Sequence, residues 1–248
     1  MKKRLLVLSM VGLFSTTFVA CHVLEEVGDV VLSTGEGGEE GNKLTDAEVI
    51  EGLKEALTVG TNNSAGLASK LDGFNKNPKI RLPFPDDAQH VKDKALELGL
   101  DEKVNKFEET LNRAAEEASK EAAPIFVNAV KNMSIADGWA ILKGEDNAAT
   151  QYLQDKTTAD LRTAFRPKVD AAIETVNLTK YWEPLTKAYN TATKFTGGEP
   201  VNTDLGDYVT TRAIGGLFTL IAEEEGKIRK DPLARVNDIL EKVFSVLD

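Results

Sequence analysis

The sequence predicts an all-α fold, a single compact multi-helix domain of about ten helices behind a flexible N-terminal tether. Three observations carry this. From Leu44 onward apolar residues recur at spacings of three and four, helix caps and stops punctuate that pattern, and the period-two alternation of half-buried strands is nearly absent. With 42 % hydrophobic and 28 % charged residues the chain can bury a real core.

Thr45-Asp46-Ala47-Glu48 reads as a capping box, and Val49, Leu53, Ala56 and Leu57 form the stripe of a helix that Gly60 is expected to end. A second short helix is expected from Ser64 to Leu71, before the turn-rich Asp72 to Pro78. Ile80-Arg81-Leu82-Pro83-Phe84-Pro85 is extended, because each Pro fixes its own φ and moves its predecessor out of the helical region. It reads as an ordered loop packing Ile80, Leu82 and Phe84. Asp86 or Asp87 caps a helix to Leu98, which Gly99 closes. Val104, Phe107, Leu111, Ala115, Ala118, Ala122, Ile125 and Ala129 form the longest periodic stretch, with Pro124 either kinking or restarting it. Ser134 caps a helix to Gly144, Asp146 caps Ala148 to Leu153, and Thr158 starts a helix interrupted at Pro167. Another carries Tyr181 and Trp182, Asp204 caps a long one, and Pro232 opens the last. No repeat of 30 to 50 residues occurs, which disfavours a solenoid.

The start of the chain is an export signal. Met1-Lys2-Lys3-Arg4 is basic, and Leu5 to Ala20 is an apolar run of about 24 Å as a helix, short of a ~30 Å hydrocarbon core. It stops at the sole Cys. Phe18-Val19-Ala20-Cys21 resembles the bacterial lipobox, so residues 1–20 read as a lipoprotein signal peptide and Cys21 as the site of lipid attachment. Residues 21–43 then read as a lipid-anchored acidic, Gly-rich tether, and 44–248 as the helical domain. His22, rather than Asp, follows the Cys, which favours the outer membrane in a two-membrane bacterium. The expected location is the cell envelope.

The net charge of −10 argues against nucleic acid as a partner, since phosphate backbones need a basic face. Removing Lys2, Lys3 and Arg4 with the signal leaves 27 positive against 40 negative charges. A lipid, not charge, would hold the chain to a membrane. One Cys and two His leave little for His-based catalysis or a metal, and no P-loop, Gly-x-Gly-x-x-Gly or Gly-x-Ser-x-Gly is present. No cofactor is expected.

Three polar groups remain. Asn112, Arg113 and Glu116 lie within one helical turn beside the Leu111–Ala115–Ala118 seam, where they could aim an amide, a guanidinium and a carboxylate into a groove. The plainer reading is a solvated edge with Glu109–Arg113 and Glu116–Lys120 pairs. Asp146 and Thr150 stand at a helix start, where an anion could sit or the cap could satisfy itself. Lys227, Arg229, Lys230 and Arg235 form a basic island that could complement a helix end or bind an acidic ligand.

EGLKEALTVG (51–60), NPKIRLPFP (77–85), NRAAEEA (112–118), APIF (123–126), ILKGEDNAATQYLQDKT (141–157), FRPKV (165–169), DYVTTRAIGGLF (207–218) and EEEGKIRKDPLAR (223–235) together resemble the bacterial family called domain of unknown function 4197. The resemblance covers residues 44–248 in the family's order. It implies an all-helical exported envelope domain and supplies no established activity. Leu153 stands where the family usually has Phe, and Gly138-Trp139 where small residues are usual. Because Asn112, Arg113, Glu116, Asp146, Thr150, Arg229 and Arg235 belong to these motifs, the resemblance implies a shared polar cluster. If Glu116 and Arg113 face a core groove, the pairing to expect there is with Arg229 or Arg235.

Two function classes follow. One is a non-enzymatic, lipid-anchored envelope module binding a small ligand or a protein partner. The alternative is a hydrolase or lyase using Glu116 with Arg113, or Asp146, as acid–base groups.

Overall fold

A computed structural model describes residues 45–175, 178–230 and Val243. The expected signal peptide, Cys21, the expected tether, Arg235 and the helix expected from Pro232 lie outside these residues. Among those described there are eight α-helices, two 3₁₀ turns and no strand, which makes the fold all-α with fewer helices than the expected ten or so. The described residues all belong to one compact unit.

Helix α1 (Asp46–Ser69) opens with the predicted box: Thr45 Oγ1 accepts from Glu48 N at 3.3 Å, and Thr45 N donates to Glu48 Oε2 at 2.9 Å. It runs straight through Gly60 and absorbs the second short helix. Gly60 is buried, and a Cβ there would stand 3.6 Å from the Cβ of Glu224, so this glycine marks a helix crossing rather than a helix end. The stop comes at Lys70, which is extended, followed by Asp72 with φ 65°. Gly73 is obligatory because a Cβ would sit 2.3 Å from the carbonyl oxygen of Leu67.

The Pro-rich segment is a loop that buries Ile80, Leu82 and Phe84, as expected. A 3₁₀ turn (Asp86–Ala88) leads without a side-chain cap into α2 (Gln89–Glu97), which Gly99 closes at φ 72°. Helix α3 (Asp101–Ala118) is separated by a 3₁₀ turn (Ser119–Glu121) from α4 (Ala122–Lys131). Pro124 is the third residue of α4, where its missing N–H has no partner to lose, so it restarts the helix and does not kink it.

Ser134 caps α5 (Ile135–Leu142) with its own box. Helix α6 (Ala148–Thr175) is continuous where two helices were expected, and it carries Pro167 internally. That proline costs about 3 kcal/mol. Leu161, Phe165, Val169 and Ile173, all at most 1 % exposed, offset it with about 1.5–3 kcal/mol of burial each. Helix α7 (Leu178–Thr196) ends at Gly197, φ 74°. Helix α8 (Leu205–Lys230) starts at Asp204, whose Oδ1 accepts from Asp207 N at 2.9 Å.

Helices α6 and α8 run antiparallel. Arg162 meets Asp207 and Arg166 meets Asp204 at one end of the pair, and Thr150 meets Glu225 at the other. The Ala-rich face of α3 (Leu111, Ala114, Ala115 and Ala118, all 0 % exposed) lets α3 approach both. Phe126 of α4 and Phe218 of α8 meet edge to face, centroids 5.8 Å apart.

Candidate functional site

Successive turns of α3 place Glu108, Asn112 and Glu116 in a row, each at most 5 % exposed although polar. All three reach the loop between α1 and α2. Glu116 Oε1 accepts from the backbone N–H groups of Phe74 and Asn75, both at 3.1 Å, and Oε2 accepts from Arg113 Nη1 at 2.7 Å. Arg113 donates its other arm to Asp72 Oδ1 at 2.7 Å. Asn112 pairs with Leu82 as a neighbouring strand would: Oδ1 accepts from Leu82 N and Nδ2 donates to Leu82 O, both at 2.8 Å. Glu108 accepts from Arg81 Nη2 (2.6 Å) and Lys92 Nζ (2.8 Å).

The electrostatics follow this wiring. Lys76 and Arg113 lower the Asp72 carboxyl to about 2, and Glu116 above all, with Asp72, holds the Arg113 guanidinium further above its already high value. Burial pushes Glu108 up, yet Lys92 and Arg81 together outweigh burial and hold it below its ordinary value.

The second cluster lies at the C-terminal end of α8. Glu225 Oε1 accepts from Ala149 N and Arg229 Nε, each at 3.0 Å, and Oε2 accepts from Thr150 N (2.8 Å) and Thr150 Oγ1 (2.7 Å). Arg229 Nη2 donates to Ile141 O at 2.8 Å. Glu225 and Arg229 are 9 % and 7 % exposed. One buried ion pair thus ties α8 to the start of α6 and the end of α5.

The predicted residues therefore form two sites, not one. Asn112, Arg113 and Glu116 come together, as do Thr150 and Arg229, but among the described residues no hydrogen bond or ion pair joins the two sets. The expected pairing of Glu116 or Arg113 with Arg229 is replaced by Arg113–Glu116 and Arg229–Glu225, because Arg229 lies on the last turn of α8 beside α6. Asp146 joins neither set. It is exposed and paired with Lys230, which lowers its pKa, and Glu225 takes the capping role expected of it. The solvated-edge reading fails for Glu116, since Lys120 pairs with Glu117 instead. The described residues of the basic island are each paired in place, Lys227 on Glu224, Arg229 on Glu225 and Lys230 on Asp146.

Sequence reasoning missed Glu108, Asp72 and Glu225. The four-residue spacing of 108, 112 and 116 was a usable signal. Glu225 had only its four-residue spacing to Arg229, since its other partners lie 75 and 76 residues away.

The cavity against the second cluster, walled by Leu57, Thr61, Ile221, Glu225, Ile228 and Arg229, measures about 30 Å³. That is the scale of one or two waters, not of a substrate. Among the described residues no group of three His, Cys, Asp or Glu could hold a metal, and no helix is long and apolar enough to cross a membrane.

The family model described as a protein of unknown function, DUF4197, matches residues 43–245. The chain belongs to this family. No curated protein and no solved structure matches it. In this DUF4197 chain the matched residues hold both polar clusters, so the motifs behind the resemblance include those that fasten the helices to one another.

Proposed function

We propose that this DUF4197 protein is a non-enzymatic envelope module, anchored by lipid at Cys21 and presented on its acidic tether to a small ligand or a protein partner. One observation carries the non-enzymatic part. Glu116 and Glu225, the two buried carboxylates best placed for acid–base chemistry, accept backbone N–H groups and an arginine on both oxygens, and the cavity beside the second holds only water-sized space. A general acid or base needs a proton path to a bound substrate, and saturated carboxylates at helix ends supply rigidity instead. Asp146, the other acid–base candidate, is a solvated partner of Lys230.

The anchor rests on the sequence, with a sole Cys where an apolar run of signal-peptide length ends. Native mass spectrometry of the chain extracted from its own host membranes tests the reading. A polypeptide carrying a diacylglycerol-type mass at its N-terminus and a retained ligand or partner is the expected result. An unlipidated chain with no adduct contradicts it.

A further inference from the structure

We propose that the groove between α4 and α6 binds a neutral polyhydroxylated ligand, a sugar unit of a glycan. This rests on the reading of the protein as a binding module and names its site and ligand class. The groove measures about 240 Å³. Helix α4 lines it with Asn128 and Asn132, one turn apart, and α6 faces them with Tyr152, Lys156 and Asp160 on successive turns. Asp137 of α5 completes the wall, and the buried Thr157 lies among them.

These side chains keep polar atoms that the fold does not use. Further along the same helix Arg162, Arg166 and Lys168 each hold a carboxylate. Lys156 forms no salt bridge with a carboxylate among the described residues; it stands over the Tyr152 ring at 5.8 Å from the centroid, and, after the hydrogen bonds from Ser134, its charge helps to lower the Asp137 carboxyl. Asp160 has no hydrogen bond or ion pair among the described residues. Asp137 receives Ser134 on Oδ2 alone, which leaves Oδ1 open. Asn132 Nδ2 donates to Asn128 O at 3.0 Å and to Asn128 Oδ1 at 3.5 Å, leaving the Asn132 side-chain oxygen and one lone pair of Asn128 Oδ1 available. Tyr152 donates to Ala129 O at 3.4 Å and keeps its phenol lone pairs.

The donor and acceptor balance selects the ligand. Two carboxylates and two amide oxygens make the groove rich in acceptors, and with Lys156 its formal charge is −1, which disfavours phosphates and other anions. Lys156, between Tyr152 and Asp160 on α6, opposes a polycation. A hydroxyl both donates to the carboxylates and accepts from Lys156. Vicinal hydroxyls match the planar Asp and Asn groups, while a sugar's apolar ring face suits the half-buried Tyr152.

The test is saturation-transfer NMR and titration of the full lipidated chain in a zwitterionic detergent, with N,N′-diacetylchitobiose and maltose as probes and spermidine as a third arm. At least one sugar is expected to bind saturably, and Asn128→Ala combined with Asn132→Ala is expected to weaken it roughly tenfold or more, as loss of two side-chain hydrogen bonds predicts. Asp155→Asn, on α6 outside the groove, leaves the affinity unchanged. An unchanged urea midpoint in the double variant shows that the fold persists. No transfer from either sugar, equal affinity in wild type and double variant, or tighter binding of spermidine overturns the inference. If a retained adduct is then still seen by native mass spectrometry, only the groove assignment falls. If the chain is also bare, the binding-module reading falls with it.

Discussion

Glu225 of α8 caps α6 through Thr150. A single carboxylate oxygen accepts both the backbone N–H of Thr150 at 2.8 Å and its hydroxyl at 2.7 Å, while the other oxygen takes Ala149 N and Arg229. A helix start that normally relies on its own preceding residue is here satisfied from a different helix. Starting α6 and holding Arg229 on the last turn of α8 are thus both met by one side chain.

Glu225→Ala removes the carboxylate that Arg229 shares with α6 and leaves two N–H groups unsatisfied, so it is expected to cost roughly 3–5 kcal/mol in urea unfolding. Lys230→Ala, which breaks only the exposed pair with Asp146, leaves the midpoint nearly unchanged. Equal effects from the two variants would place Glu225 on the surface.

Glu116→Ala removes the acceptor for Phe74 N, Asn75 N and Arg113, and is expected to cost roughly 2–4 kcal/mol. Glu117→Ala, the adjacent exposed control paired with Lys120, costs under about 1 kcal/mol. Urea midpoints of the two variants, measured side by side, decide whether Glu116 is a staple or a surface carboxylate.

Asn112→Ala cuts both hydrogen bonds to Leu82 and frees the Pro-rich loop from α3. Native-state hydrogen exchange should show the Leu82 amide exchanging much faster, with the core of α6 protected as before. Protection of Leu82 that survives the substitution would mean that packing of Ile80, Leu82 and Phe84 holds the loop unaided.

Asp72 has its folded pKa lowered to about 2 by Lys76 and Arg113, below the unfolded value near 4. A depressed carboxylate contributes stability above the unfolded pKa, and that contribution fades as pH falls from about 4 to about 2. Wild type is therefore expected to exceed Asp72→Asn in urea midpoint at pH 6, with the gap closing by pH 2. Asn is the right substitution because it tolerates φ 65°. A gap independent of pH would show that the charge of Asp72 does not matter.

What could be read in the sequence was local. The Thr45 box, the Ser134 and Asp204 caps and the Gly99 stop act within four residues of where they stand, and each appears as expected. Gly60 and Pro167 misled for one shared reason. Both are helix breakers in isolation, and here tertiary packing overrides them, through contact with α8 at Gly60 and the buried stripe of α6 at Pro167. In the polar site, the short-range group Asn112–Arg113–Glu116 was legible because one helical turn gathers it. Its partners were not, since Phe74 and Asn75 are reached only when the loop folds back onto α3. The link to Arg229 failed likewise, for nothing in the spacing of residues says which end of α8 meets which helix.

The central claim is that two independent staples, not one functional cluster, account for the buried charges. Urea unfolding of Glu116→Gln, Glu225→Gln and the double variant tests it most directly, Gln keeping the shape of the side chain while weakening the arginine and N–H contacts. The account predicts that each single change destabilises the domain and that the double change equals their sum to within about 0.5 kcal/mol. A double variant departing from additivity by more than about 1 kcal/mol would contradict it, because coupling of that size belongs to residues sharing one network.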